Sequence, residues 1–458
     1  MFGGHRRGRK ANSDSVAVNF SGAPLITLSI ETRMLVFYFF AALVILQSLA
    51  SLRGGVRWLA FFRRELEAKR TLYMPPASVV VPCRGLDHGL RANLSALFTQ
   101  HYPAYELVFV SDRADDPALA VAEELRREFE GETAARATFV VAGRATESGQ
   151  KVHNLRAAVA VCDPSSEVLV FVDTDARTRA DWLRSLVAPL ADPAAGAATG
   201  YGWFLPVHGG LASHLRSVWN ASIASALGAD VRRNFCWGGS TAIRRATFER
   251  LRVRERWRGA LSDDYALTRA LREERLPIRF APACLTASLE DCSFGALLEF
   301  TTRQLKIARV YAPHLWRVVL ASNLLFVSVF FGGLALAASR AAAGLACAWP
   351  LALVSVVLLL GVWKSFFRLR AVALVLEDYH AELRAGVWAH LLLWPLTAAL
   401  FLYNALAAAH SRRIMWRGIE YELKSPTETA IINADFADDA ATGRARQSTL
   451  RRGEKETF

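Results

Sequence analysis

Four runs of apolar residues constrain this chain more than any other feature. MLVFYFFAALVILQSLASL (34–52), RVVLASNLLFVSVFFGGLAL (317–336), GLACAWPLALVSVVLLLGVW (344–363) and VWAHLLLWPLTAALFLYNALAAA (387–409) are each close to the roughly 20 residues that a bilayer core requires. One such run alone would pass as a buried core helix. Nearly charge-free runs of this length, three of them clustered late in the chain, predict an integral membrane protein instead. The first run follows HRRGRK, yet it is long and meets the basic stretch LRGGVRW without a small-residue cleavage site, so it reads as a retained anchor and not a signal peptide.

The formal charge of +13 raises the question of nucleic acid. Arg and Lys concentrate beside the apolar runs and in the tails, where a basic flank facing anionic lipid explains them; no nucleic-acid partner is expected. Six cysteines without CxxC or zinc-like spacing point to neither a metal knuckle nor a disulfide framework, and suit a reducing compartment.

Between the first and second runs the pattern changes. ASVVVP (77–82), YELVFVSD (105–112), ATFVVAG (137–143) and EVLVFVDTD (167–175) read as buried strands, and the segments between them, such as RANLSALFTQHY and DPALAVAEELRREFE, carry apolar residues at helical spacing. That alternation predicts a mostly parallel sheet with helices on both faces. Ligands of such sheets gather at the carboxyl ends of the strands, and here those ends read PCRGLD (82–87), SDRADDP (111–117) and DTDAR (173–177). After about residue 425 the chain mixes charges with small residues and predicts disorder.

Acids at these ends suggest chemistry. Asp173 and Asp175, two apart on a strand, would face the same way, and two hard carboxylates suit a divalent cation that also holds a diphosphate; a simple polar turn is the alternative. In SDDYALTRALREE (262–274) Ser262 caps a helix whose first turn carries Asp263 and Asp264. A carboxylate there could take a proton from an attacking hydroxyl, although acids at a helix start are stabilising without chemistry. Lys151 in GQKVHNL enters a helix where its ammonium could meet phosphate, or could simply be solvated. Gly238 and Gly239 of FCWGGSTAIRR would let backbone approach a ligand closely, and a plain turn before a helix explains them almost as well.

In this order the motifs resemble those of the membrane-bound inverting glycosyltransferases of family 2, in particular the ceramide glucosyltransferase-like branch with its bacterial hopanoid-associated members, over residues 76 to 425. The resemblance implies a GT-A fold, an α/β nucleotide-diphospho-sugar transferase domain, joined to transmembrane helices. It implies that Asp112 contacts the nucleotide, with Asp115 and Asp116 as competitors, and that Lys151 and Asn154 lie near it. Asp175 would bind Mg2+ or Mn2+, with Asp173 beside it and nearer the sugar and ribose. Asp264 would be the general base and Asp263 its neighbour. The expected (Q/R)xxRW motif appears as RQLKI, where Arg303 matches, Lys306 keeps the charge and Ile307 replaces the tryptophan. By resemblance Arg303 and Lys306 face the diphosphate, and the missing aromatic speaks against polymer synthesis. IMWRGIEYEL (414–423) matches a segment of related enzymes whose purpose the motif does not state.

The expected organisation is an N-terminal tail (1–33), an anchor (34–52), a basic linker (53–75), a catalytic domain (76–300), an amphipathic interface helix (301–316), three late spans (317–336, 344–363 and 387–409) and a basic, partly disordered tail (410–458). The resemblance implies a UDP-sugar donor, glucose by default, a membrane lipid acceptor such as ceramide, and a catalytic domain facing the cytoplasm of a bacterial inner membrane. Basic flanks favour that orientation by a small margin, and the tail falls on the opposite side if all three late runs cross, unless one of them is re-entrant or interfacial. A processive polysaccharide synthase and a non-catalytic scaffold are the rival readings.

Overall fold

The computed structural model describes residues 30–68 and 71–434. The expected strands are present at β1 (Ala77–Pro82), β2 (Tyr105–Ser111), β3 (Ala135–Val141) and β4 (Val168–Val172), and β5 (Ala197–Leu205), β6 (Ser240–Arg244) and β7 (Ile278–Leu289) complete a seven-stranded sheet. Its order is β3-β2-β1-β4-β6-β5-β7. All neighbours run parallel except β6, which is antiparallel to both β4 and β5.

The central strands read as continuous apolar runs because both faces are covered. Val79, Val81, Leu107, Phe109, Val170 and Val172 enter one core, beneath α2 (Leu90–Phe98), α3 (Pro117–Glu128) and α5 (Trp182–Val187). Their alternates Val80, Val108, Val110, Leu169 and Phe171 enter the other, beneath α4 (Gln150–Val161) and a group of three helices, α7 (Arg245–Arg250), α8 (Val253–Arg256) and α9 (Asp263–Glu273). The period of two along each strand produces this division. Sheet order reverses about β1 and β4, so the crevice beyond their carboxyl ends is where a ligand would bind.

The other half of the sheet rests on membrane helices. α1 runs from Ile30 to Glu67, past the expected anchor and through most of the expected linker. Its last turns carry Trp58, Phe61 and Phe62 into a core with Tyr201, Trp203 and Phe280 of the sheet, and with Ala371 and Val372 of a late helix. α6 (Leu211–Ala224) packs between the sheet and the late helices. α10 (Phe294–Tyr311) starts before the expected interface helix, 301–316, and stops short of its end. It ends where Pro313 opens α11 (Pro313–Ala342), which is followed by α12 (Ala348–Val372).

Among the described residues, three helices, α1, α11 and α12, are long and apolar enough to cross a membrane. The expected third late span, 387–409, is not one straight helix: α13 (His380–Leu392) and α14 (Trp394–His410) meet at 72°. Pro395 sits in the first turn of α14, where its missing N–H cannot continue the preceding helix. Nor is the chain disordered from 425. β8 (Arg413–Trp416), β9 (Ile419–Ser425) and β10 (Glu428–Ala434) form an antiparallel sheet seated on the catalytic domain. Residues 1–29 and 435–458, and with them most of both expected tails, lie outside the described residues. With β8–β10 seated on the catalytic domain, crossings by both α11 and α12 would leave the bent α13–α14 pair as a re-entrant loop and not a span.

Candidate active site

The acids of DTD do not share a strand face. β4 stops at Val172, and residues 173–175 form a turn held by two contacts: Asn93 Nδ2 donates to the Thr174 carbonyl at 3.0 Å, and Thr174 Oγ1 donates to Asp87 Oδ2 at 2.7 Å. The turn separates the two carboxylates. Asp173 pairs with Lys151 Nζ at 2.6 Å, and the same ammonium lies 3.6 Å from Asp263 Oδ1. Burial opposes the Lys151 charge, but Asp173, Asp263 and Asp264 outweigh it and hold its pKa above the ordinary lysine value. Gly238 makes the junction possible, since a Cβ there would stand 2.6 Å from Asp263 Oδ2 and 2.9 Å from Lys151 Nζ.

Asp175 is different. Its Oδ1 is buried without a hydrogen-bond partner. Burial, then the charges of Asp173, Asp87 and Glu290, push the carboxyl up to about 7, with Arg417 opposing. Such a group is out of balance until something positive arrives. No cluster of three His, Cys, Asp or Glu side chains is assembled for a metal among the described residues, so Asp175 with Asp173 is an open acidic edge and not a closed cage.

At the end of β2 the three competing acids separate. Asp112 is buried, 3.6 Å from Arg84 Nη1. Asp116 is the N-cap of α3, accepting from Ala118 N at 2.9 Å, and it also accepts from Gly85 N and Ser111 Oγ. Its oxygens are therefore committed to structure. Asp115 is exposed beside Arg113. Asn154 is buried and accepts from Gln150 Nε2 at 2.8 Å, while Gln150 bonds Gly143 O and Ala145 N. Asn154 thus steadies the loop entering α4.

Ser262 caps α9 as expected, accepting from Tyr265 N. The paired acids then point to different tasks. Asp263 turns to Lys151, and burial, opposed by Lys151 and reinforced by Asp264 and Asp173, pushes it up to about 6. Asp264 is half-buried, and its Oδ1 accepts from Ser262 Oγ and from Tyr265 N.

Arg303 and Lys306 do not join the acids directly. Arg303 lies over the Trp416 ring, 5.5 Å from its centroid, and donates to Met415 O at 3.4 Å; Lys306 donates to Arg413 O at 2.6 Å. Both support the small sheet. Ile307, in the tryptophan position, is buried in a core with Leu261, Ile414, Ile419, Tyr421 and Leu423, a seat an indole would overfill. Gln150 N donates to Tyr421 Oη at 3.2 Å, joining this sheet to the start of α4.

Sequence reasoning missed Asp87 and Arg417. β8 and β9 are joined by a two-residue turn, Trp416 pairing with Ile419, and both turn residues have positive φ, 51° at Arg417 and 76° at Gly418. This is a type I′ setting in which Asn or Gly normally takes the first place; arginine there costs about 1–2 kcal/mol. Arg417 Nη2 pairs with Asp87 Oδ1 at 2.7 Å, and its Nη1 donates to Arg84 O at 3.2 Å. A WRG tripeptide with Gly in the turn was the only signal available, and nothing local says what its arginine reaches.

The family model for glycosyl transferase family 21 matches residues 36–429, where the motifs pointed to family 2 through its ceramide glucosyltransferase-like branch. No curated protein matches the chain. Among solved structures, a mannosyltransferase from Pyrobaculum calidifontis, PcManGT, in complex with GDP-Man and Mn2+, is similar at 17% identity and a TM-score of 0.40, covering 81% of this chain and 98% of that one.

Proposed function

The chain belongs to glycosyl transferase family 21, and from that membership we propose that it moves a hexose, glucose by default, from a UDP-sugar to a hydroxyl of a membrane lipid of the ceramide class, inverting the anomeric carbon. One observation carries this reading: DTD, Lys151 and the SDD acids meet at the sheet's switch point through Lys151, 2.6 Å from Asp173 and 3.6 Å from Asp263. That clustering joins a donor-holding edge to a proton acceptor.

In this reading Asp112 receives the nucleotide, with Asn154 steadying the loop beside it. Asp173 and Lys151 orient the sugar. Asp264 accepts the proton of the lipid hydroxyl as that oxygen attacks, and Asp263, held by Lys151, keeps its neighbour in place. Mg2+ or Mn2+ fits the acidic edge, because a buried, unpartnered carboxylate oxygen of Asp175 beside Asp173 offers hard ligands. When bound, the ion would supply positive charge to the departing diphosphate. The catalytic domain would face the cytoplasm, where nucleotide sugars are made, of a bacterial inner membrane, and the lipid would reach the site along α10 without leaving the bilayer.

Purified protein in lipid is offered radiolabelled UDP-glucose with ceramide, and in parallel with diacylglycerol, in Mn2+ and in EDTA, and products are read by mass spectrometry. A β-linked monoglycosylated lipid formed only with metal is the expected result. A polymer, or no transfer from any UDP-sugar in a panel, would overturn the proposal.

A further inference from the structure

The strand-end acids leave one requirement unmet. A departing diphosphate gains negative charge, and the cations expected to receive it, Arg303 and Lys306, are engaged at the base of the small sheet. Burial lowers the Arg303 pKa to about 10, opposed by Glu299 and reinforced by the charge of Arg417.

Arg417 follows the Trp416 ring that Arg303 covers, but its guanidinium turns to Asp87. Its side chain is 45% exposed, at the tip of a turn whose backbone would prefer Asn or Gly. The sheet behind it is anchored by Tyr421 to Gln150 and by Ile414 and Ile419 to Ile307, so the tip is presented from a rigid base. From there the guanidinium reaches Asp87, 330 residues earlier, over the crevice between β1 and β4. Asp87 in turn holds Thr174, the middle residue of DTD. The arginine therefore lies against the same turn that carries Asp173 and Asp175. A planar guanidinium, with paired donors, suits diphosphate oxygens better than an ammonium does.

We propose that the Trp416–Arg417–Gly418 turn is the diphosphate-binding element of the donor site, with Arg417 as the catalytic residue that receives the leaving group. It rests on the nucleotide-sugar reading above. On transfer, the bond between the sugar's anomeric carbon and the diphosphate oxygen breaks, and its electron pair leaves with that oxygen. The lipid oxygen bonds to the anomeric carbon, and its proton goes to Asp264. Arg417 exchanges Asp87 for the diphosphate oxygens, and its charge offsets the one they gain.

The test is Arg417→Asn, which suits the turn and removes the guanidinium. Dissociation constants are measured for UDP against UMP and for GDP against GMP, with Mn2+, on the full chain. The wild-type protein should prefer one diphosphate to its monophosphate, and the variant should lose about ten- to a hundred-fold in diphosphate affinity with the monophosphate unchanged. Arg417→Lys should recover part of that loss, and it serves as the readout if Arg417→Asn fails to fold. An undiminished diphosphate preference in Arg417→Asn, or no deficit in Arg417→Lys where Asn cannot be read, overturns the proposal while the donor reading stands. A wild-type protein that prefers neither diphosphate overturns both.

Discussion

The strand-end acids and the C-terminal sheet meet at one crevice, yet they are built by opposite means. Asp173, Asp175, Asp263 and Asp264 lie on short turns that follow buried strands or open a helix, so each is positioned by its immediate neighbours. Arg417 is positioned by a three-stranded sheet that follows the membrane helices and is clamped by Ile307, Tyr421, Arg303 and Lys306. The first region can be altered at the chemistry with little effect on folding. In the second, loss of a distant clamp should disturb the site as much as loss of the arginine itself.

The sharpest contrast comes from Asp264→Asn. If the acids act only on chemistry, transfer should fall by about 10²–10⁴ while donor affinity and unfolding temperature stay near those of the wild type; near-normal turnover would remove Asp264 as the base. Ile307→Ala should do the reverse, loosening the sheet's seat by about 2–5 kcal/mol. Protease cleavage near 411–434 should accelerate, and activity should decline with it; a cleavage rate that does not change would show the sheet to be held without that core.

Asp116→Ala and Asp112→Ala separate structure from binding within the first region. Loss of the α3 cap should cost about 0.5–2 kcal/mol of stability with donor affinity retained, whereas Asp112→Ala should weaken the donor. The opposite pattern would exchange their roles. The smallest effect expected is on pH. Asp263 and Asp175 stand at about 6 and about 7, above the ordinary 3.8, chiefly through burial. The folded state therefore binds protons more tightly than the unfolded one. Their contribution to stability is fully present below the unfolded value and is lost as pH rises through about 6 and then about 7. Without donor or metal, the unfolding temperature at about pH 5 should exceed that at about pH 8 by roughly 2–4 °C, and Asp263→Asn should shrink the difference. A temperature that rises with pH in both proteins would show that these carboxyls are not perturbed as described.

Much of this molecule was legible in order along the chain. The βαβ rhythm, the α9 cap at Ser262 and three of the apolar spans follow from residue type and local spacing, because side-chain period and backbone hydrogen bonding act over a few residues. The DTD turn was misjudged as a strand because the ladder ends at Val172, and ladder ends depend on neighbouring strands. Length and hydropathy made the last apolar run a candidate span but carry no direction, so they left open whether it crosses or turns back. The 72° bend between its two helices, and the contact of β8–β10 with the catalytic domain, appear only in the tertiary structure.

The amino-acid sequence by itself determined a sheet with acids at its carboxyl edge, tied to a membrane at both ends. Tertiary structure alone decided the division of labour among those acids. Lys151 draws Asp173 and Asp263 together and leaves Asp175 Oδ1 without a partner, and a strained turn brings Arg417 to Asp87. Electrostatic balance at a buried site is set by which charges lie within a few ångströms, and that distance is fixed by packing between segments far apart in the chain.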